Sequence, residues 1–473
     1  MTRIHLVAIA ALAPVCVLSV PVTAQSVSQE ELDQRYDRAL AAGYKALMLC
    51  GAMASAERSG TARTPESVQE WELTGIYPSL DPIVRDLPYE IVRVPVYEKA
   101  PRLLPRLHHV RVSWADDMLP RVAVHRAGEG CSILPPGAEM PAVEAEDPVI
   151  PRPPEPLFRN VEAGADGVAA RAFGSDYGEG TRTTAVLVRQ NGGVIAERYR
   201  EGFDARTPQR TWSVAKSIAA TLVGAAVERG DAAMILDRDH AAVPMLIPVM
   251  RWYEGEDDPR QQITLDNLLR MASGRYSDTA GNRTDPVYWG GASVDERASS
   301  WPIIHQPGTV FRYANNDTLM AVEAISHTFA DHPPAEFFAR LGMFDTVAET
   351  DWQGNYVLSS QVWSTARDLA DLGQLYLNDG MLNGERILPQ GWLEYVSAPS
   401  GPQPPGAYGY GAGWWLMRGM DGIPDDTIAA RGNRGQYVVV VPSRDIVIVR
   451  RGEDPAGKVF DLEQFTRDML GSL

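Results

Sequence analysis

The chain has 473 residues, 45% hydrophobic and 22% charged, an ordinary globular balance with enough apolar material for a large core. Its net charge of −17 excludes the basic footprint that nucleic-acid binding requires and disfavours adhesion to an anionic membrane surface. Positive charge is carried almost wholly by arginine, 40 against four lysines. A lysine inside an apolar helix therefore asks for a reason, because lysine can be driven neutral and arginine cannot.

Residues 1–24 have the form of a secretory leader: Arg3, an apolar stretch, then Val22-Thr23-Ala24 as a small-x-small cleavage site. The charged run QEELDQRYDR soon after argues against a spanning helix. Ala13-Pro14-Val15 before Cys16 makes a poor lipoprotein signal. The expectation is a periplasmic or secreted protein starting at Gln25, with no stable membrane insertion. Cys16 leaves with the leader, and Cys50 and Cys131 then read as one disulfide closing about 80 residues. Such a loop is worth about 4 kcal/mol in the chain-entropy picture. Two separate buried thiols are the alternative.

Helical spacing of Leu32, Tyr36, Leu40, Tyr44, Leu47 and Met48 predicts a helix over 28–58. Strand-like runs follow at 90–98 and 109–126, the second a hairpin candidate, so 25–134 is expected to be an α+β extension. Residues 135–157 are rich in proline and acid and are expected to be a linker. The remaining 158–473 read as a second domain. It opens with a hairpin over 183–199 around Asn191-Gly192. An apolar helix at 212–229 stops at Gly230, and a later helix opens at Thr365 with Asp368 as its capping partner. YGYGAGWWLM, QYVVVVP and DIVIVRR predict three successive antiparallel strands, and 459–470 a closing helix.

Three stretches of this second domain could carry chemistry. The first is Ser213-Val214-Ala215-Lys216 at the start of the apolar helix. Spacing i, i+3 puts both side chains on one face, the helix dipole favours negative charge on the serine oxygen, and burial lowers the lysine pKa. That is an activated nucleophile of the Ser-Lys kind. The second is Tyr313-Ala314-Asn315, whose phenol could relay the serine proton and whose amide could bond Lys216 or a substrate carbonyl. The third is Arg431-Gly432-Asn433-Arg434-Gly435-Gln436 before an apolar strand, where an exposed N–H could join the Ser213 N–H in an oxyanion hole. Read alone, each stretch also fits ordinary structure. The polar, aromatic loop 275–291 is a candidate cleft wall, with Asp278 and Trp289 as candidate substrate contacts.

SVAK, then YAN, then a glycine-containing strand entry, in that order, resembles the serine β-lactamase and penicillin-binding superfamily. The resemblance covers about 165–470. It is nearest to the class C-like, family VIII esterase and 6-aminohexanoate-dimer-hydrolase-like branch. It implies an α/β (α+β) fold: an antiparallel sheet flanked by helices, with a mostly helical lobe. It implies Ser213 as the acylated nucleophile, Lys216 as its base and Tyr313 as the second proton-transfer residue. Asn315 would orient, and the N–H groups of Ser213 and Gln436 would form the oxyanion hole. Asn433, Arg434 and Gly435 stand where β-lactamases carry Lys-Thr-Gly, so the lysine and hydroxyl that recognise a β-lactam carboxylate are absent and Arg434 is the candidate replacement.

The reading is a secreted serine hydrolase acting on a small ester or linear amide. A β-lactamase or D-alanyl-D-alanine peptidase is the enzymatic alternative, and a non-catalytic binding module the other. There is no G-x-S-x-G, H-E-x-x-H, G-x-x-x-x-G-K-[ST] or metal-spaced histidine set, so neither metal nor cofactor is expected.

Overall fold

The computed structural model describes residues 26–94, 106–142, 161–232, 259–277, 284–399 and 401–473. The leader, Asp278 and most of the linker expected at 135–157 lie outside the described residues.

Helix α1 (Gln29–Ser59) starts at a capping box, Ser28 with Glu31, and stops at Gly60 in the left-handed conformation. Among the described residues it is the one helix long and apolar enough to cross a membrane, and its apolar window is wholly buried inside the protein. Strands β1 (Tyr89–Val94), β2 (Arg106–Val112), β3 (Arg121–Arg126) and β4 (Gly130–Ile133) form an antiparallel meander in sequence order. The expected hairpin is β2–β3, with His109 opposite Val124. Helix α1 packs on this sheet, and the Cys50–Cys131 disulfide ties it to β4 with the Cα atoms 6.0 Å apart.

The second sheet is antiparallel and seven-stranded. Helix α2 (Ala163–Arg171) precedes β5 (Thr183–Gln190) and β6 (Gly193–Tyr199), which turn at Asn191-Gly192. Helices α3 (Val214–Arg229), α4 (Asn315–Ile325) and α5 (Ala366–Leu377) follow. The remaining strands are β7 (Gly409–Tyr410), β8 (Trp415–Leu416), β9 (Ile428–Gly432), β10 (Gln436–Val441) and β11 (Ile446–Gly452), before helix α6 (Leu462–Gly471). The spatial order is β7-β8-β9-β10-β11-β5-β6. Two details differ from expectation. YGYGAGWWLM makes two short strands, because positive φ at Gly413 turns the chain between them. The run Ile428–Gly432, with Arg431 and Gly432 expected as part of a strand entry at 431–436, is itself a full sheet member paired to β10.

Strand alternation sorts the side chains onto two faces. Ile428, Ala430, Val438, Val440, Val447 and Val449 face one core, which also takes α1, α3, α4 and α5. Ala429, Val439, Val441, Ile446 and Ile448 face a second core under α2 and α6. The sequence between α3 and α5 supplies a largely helical lobe. Helix α1 thus belongs to the same core as α3. It approaches closely because Gly43 lies against the Trp289 backbone, where an added Cβ would sit 1.8 Å from the carbonyl oxygen. Gly51 meets the Trp363 ring in the same way, at 2.6 Å.

Candidate active site

Ser213 is the N-cap residue of α3, reached through Trp212 at φ 51°, an uncommon conformation for a non-glycine residue. Trp212 is held there by the Arg210 guanidinium, stacked 3.9 Å from its ring centroid. The Ser213 hydroxyl does not cap its own helix. It accepts instead from Lys216 Nζ at 3.1 Å, as i, i+3 spacing allows.

Lys216 is fully buried and has two further partners. Its Nζ donates to Asn315 Oδ1 and, at 2.8 Å, to the carbonyl oxygen of Ser359. No carboxylate is among these partners, and burial alone pushes the Lys216 pKa down to about 7. A neutral amine has two N–H groups and one lone pair. With the N–H groups on Asn315 and Ser359, the lone pair faces the Ser213 hydroxyl. The Ser359 carbonyl is itself fixed, since the Ser359 hydroxyl meets Tyr288 Oη at 2.6 Å.

Asn315 opens α4, and its Nδ2 donates to Thr284 Oγ1 at 3.3 Å. Tyr313 arrives from the preceding extended segment, its ring 5.1 Å from Lys216 Nζ. It leans on Trp415, 5.4 Å between centroids, and meets Tyr410 edge-on. Burial raises its pKa well above that of an ordinary phenol, while the Ser213 hydroxyl and the Arg431 guanidinium hold the rise back. The phenol therefore keeps its proton at neutral pH, and the lysine is the group that can be without one.

The end of β9 closes the other side. Gly432 lies against the start of α3: a Cβ there would come 2.4 Å from the Thr211 carbonyl oxygen and 3.2 Å from the Ser213 nitrogen. Asn433 follows, exposed to solvent.

Sequence and structure part ways on several side chains. Arg434 does not face the cleft. Its backbone is left-handed, φ 58°, which turns the side chain inward to Glu453 at 2.7 Å and to the carbonyl oxygens of Trp71, Thr74 and Gly75. It clamps the N-terminal segment to the main sheet. Gly435 is likewise structural, since a Cβ there would fall 1.6 Å from Arg450 Nη1. Trp289 is fully buried, its ring packed on Tyr44 and Tyr77, so it is core rather than cleft wall. Gln436, expected to offer its backbone N–H, is fully buried in the ladder opposite Gly432, with its side-chain amide bonded to Gly452 and Arg451. The site contact that sequence reasoning missed is the Ser359 carbonyl. A backbone carbonyl leaves no residue-type signal. Arg431 shares the strand face of Ala429, toward the second core, and stacks on the rings of Tyr408 and Trp415.

The family described as Beta-lactamase matches residues 160–451. The 6-aminohexanoate-dimer hydrolase of Paenarthrobacter ureafaciens is 29% identical over 373 residues, which are 72% of this chain and 88% of that protein. A candidate beta-lactamase from Bacteroides dorei DSM 17855 shares the fold with a TM-score of 0.51 and 19% identity, over 65% of this chain and 98% of that one. A candidate 6-aminohexanoate-dimer hydrolase from Bacillus anthracis gives a TM-score of 0.49 and 21% identity, over 61% and 78% of the two chains.

Proposed function

The chain belongs to the beta-lactamase family and is a serine hydrolase, and within that family we propose that it cleaves linear amides or carboxylic esters through an acyl-enzyme on Ser213. The observation that carries this reading is the Lys216 amine, 3.1 Å from the Ser213 hydroxyl and brought to a pKa of about 7 by burial. Half neutral at pH 7, it is suited to act as a general base.

In this mechanism Ser213 Oγ attacks the carbonyl carbon as its proton moves to Lys216 Nζ. The oxyanion rests on the Ser213 N–H and on a second backbone donor. We place that donor at Asn433, the exposed residue after Gly432, in preference to the buried Gln436. The C–N or C–O bond then breaks, Tyr313 passes its proton to the leaving nitrogen or oxygen, and the Lys216 ammonium gives up its proton to restore the phenol. Water then attacks the acyl-enzyme as its proton moves to Lys216, the bond to Ser213 Oγ breaks, and that proton returns to Oγ as the acid is released. Asn315 and the Ser359 carbonyl orient the lysine.

The relative named for 6-aminohexanoate dimer, matched over 88% of its length, favours a linear amide. The missing Lys-Thr-Gly favours it over a β-lactam. We further propose residues 158–473 as the hydrolase domain, 25–134 as its disulfide-tied extension, and 1–24 as a leader that directs the protein to the periplasm or beyond.

Hydrolysis of p-nitrophenyl butyrate and of 6-aminohexanoate dimer by the protein from Gln25, with Ser213→Ala in parallel, tests the reading. Turnover of either substrate that vanishes in the variant is expected. Turnover that survives in Ser213→Ala, or turnover of nitrocefin alone, would overturn it.

A further inference from the structure

We propose that Arg210 is a positioning residue of the hydrolytic reaction, tying the segment that presents Ser213 to the turn that presents the Ser359 carbonyl. This rests on the serine-hydrolase reading of Ser213. Arg210 lies just before the nucleophile and is fully buried. Its partner Ser360 is 150 residues further along the chain, next to the carbonyl that takes Lys216 Nζ at 2.8 Å. The two segments meet as antiparallel neighbours, Gln209 opposite Ser364 and Arg210 opposite Trp363. The Thr211 N–H continues the contact by donating to the Val362 carbonyl at 2.7 Å.

On one side the guanidinium acts on Ser213. It stacks 3.9 Å from the Trp212 ring centroid, and Trp212 has a φ of 51°. A bulky residue is strained in that region and stays there only where its surroundings hold it. Ser213 is the next residue, so this backbone turn sets the directions of its N–H and of its hydroxyl. A second ring, Tyr77, meets Trp212 edge-on at 6.3 Å and closes the other approach.

On the other side it acts on the base. Arg210 Nη2 donates to Ser360 Oγ at 2.9 Å. The Ser360 and Gln361 N–H groups both return to the Val357 carbonyl, at 3.2 and 2.9 Å, and make a tight turn. The Ser359 carbonyl and the Ser360 nitrogen belong to one planar peptide unit, so fixing Ser360 also fixes the acceptor of Lys216.

These two contacts are what the buried guanidinium makes. Its Nε and Nη1 find no acceptor among the described residues. Glu349, the carboxyl that feels its charge, accepts from the Cys131 N–H at 3.2 Å. Burying a cation so incompletely bonded costs stability, which the link between nucleophile and base gives a reason to bear. Arginine suits both tasks at once: its planar face stacks on the indole while an N–H in the plane reaches the hydroxyl. A lysine ammonium has donors but no such face.

The test is steady-state kinetics on p-nitrophenyl butyrate for Ser360→Ala, Arg210→Gln and the double variant. Rates are taken per active serine, counted by intact mass after labelling to completion with a phosphonofluoridate, in which Ser213 Oγ bonds to phosphorus and fluoride leaves. Ser360→Ala is expected to lower kcat about 10-fold and Arg210→Gln about 100-fold, the effect of a displacement of about 1 Å. KM should stay within about 2-fold in both. The double variant should match Arg210→Gln, because residues that act through one contact are not additive. Unchanged kcat in Ser360→Ala, additive losses in the double variant, or fewer labelled sites at wild-type turnover per site would each overturn the assignment. If Arg210→Gln does not fold, Ser360→Ala, which removes a single hydroxyl, decides alone. If the wild type cleaves neither p-nitrophenyl butyrate nor 6-aminohexanoate dimer, the hydrolase reading fails and the labelling rate decides on Arg210. Labelling about 10-fold slower in Ser360→Ala supports the positioning role; equal rates, or no labelling of the wild type, overturn it.

Discussion

The carbonyl oxygen of Ser359 accepts a hydrogen bond from Lys216 Nζ at 2.8 Å, across 143 residues of sequence. With Asn315 taking the second N–H, the amine is left with one direction for its lone pair, toward Ser213. A base is thus aimed by two acceptors that carry no negative charge. A carboxylate in either place would have raised the lysine pKa and kept it protonated.

Lys216→Arg is expected to lower kcat/KM by about 10³-fold or more, because a guanidinium cannot shed its proton at neutral pH. Steady-state kinetics on p-nitrophenyl butyrate measure it, with circular dichroism to show that the variant is folded. Activity within 10-fold of wild type would remove Lys216 from the base role.

The pH profile follows from the same depressed pKa. Lys216 must be neutral to act, and its neutral fraction rises as pH increases through about 7. kcat/KM should therefore climb about 10-fold per pH unit below that point and level off above it. Tyr313→Phe should lower the plateau and leave the acid limb in place, since the phenol stays protonated throughout this range. An acid limb that moves with Tyr313→Phe would give the titration to the tyrosine.

Arg434→Gln should act on stability rather than on substrate binding. It removes one partner of a buried ion pair and leaves Glu453 uncompensated, with a cost of about 3–5 kcal/mol. Urea denaturation should show a lower midpoint, while KM for a neutral ester stays close to wild type.

Trp289→Ala should likewise destabilise, by about 3–5 kcal/mol, as truncation of a fully buried ring does. Because the Trp289 ring packs edge-on against Tyr44 of α1, the loss loosens α1 on the lobe. A changed KM with unchanged stability would return this residue to the cleft.

Reduction of the Cys50–Cys131 bond should cost about 4 kcal/mol, since it closes an 81-residue separation. Denaturation with and without reductant measures the difference. Because α1 shares its core with α3, the midpoint of activity loss should fall together with that of unfolding.

Local chemistry was readable along the chain. Helix α1 and its Ser28 start, the Asn191-Gly192 hairpin, the stop at Gly230 and the Ser213–Lys216 pair each depend on residues a few positions apart. Period, caps and turn residues report such features directly. The seven-strand order, the membership of α1 in the main core, the Ser359 carbonyl on Lys216 and the inward turn of Arg434 were decided by tertiary structure alone. Each depends on contacts between residues tens to hundreds of positions apart. Arg431 and Arg434 make the point most sharply. They are three residues apart in a single motif and carry the same charge. One lies within a strand with its guanidinium stacked on aromatic rings, and the other is turned by a positive φ onto a buried glutamate. Composition and order place two arginines near the nucleophile; only the backbone direction and the distant partner determine where each side chain goes.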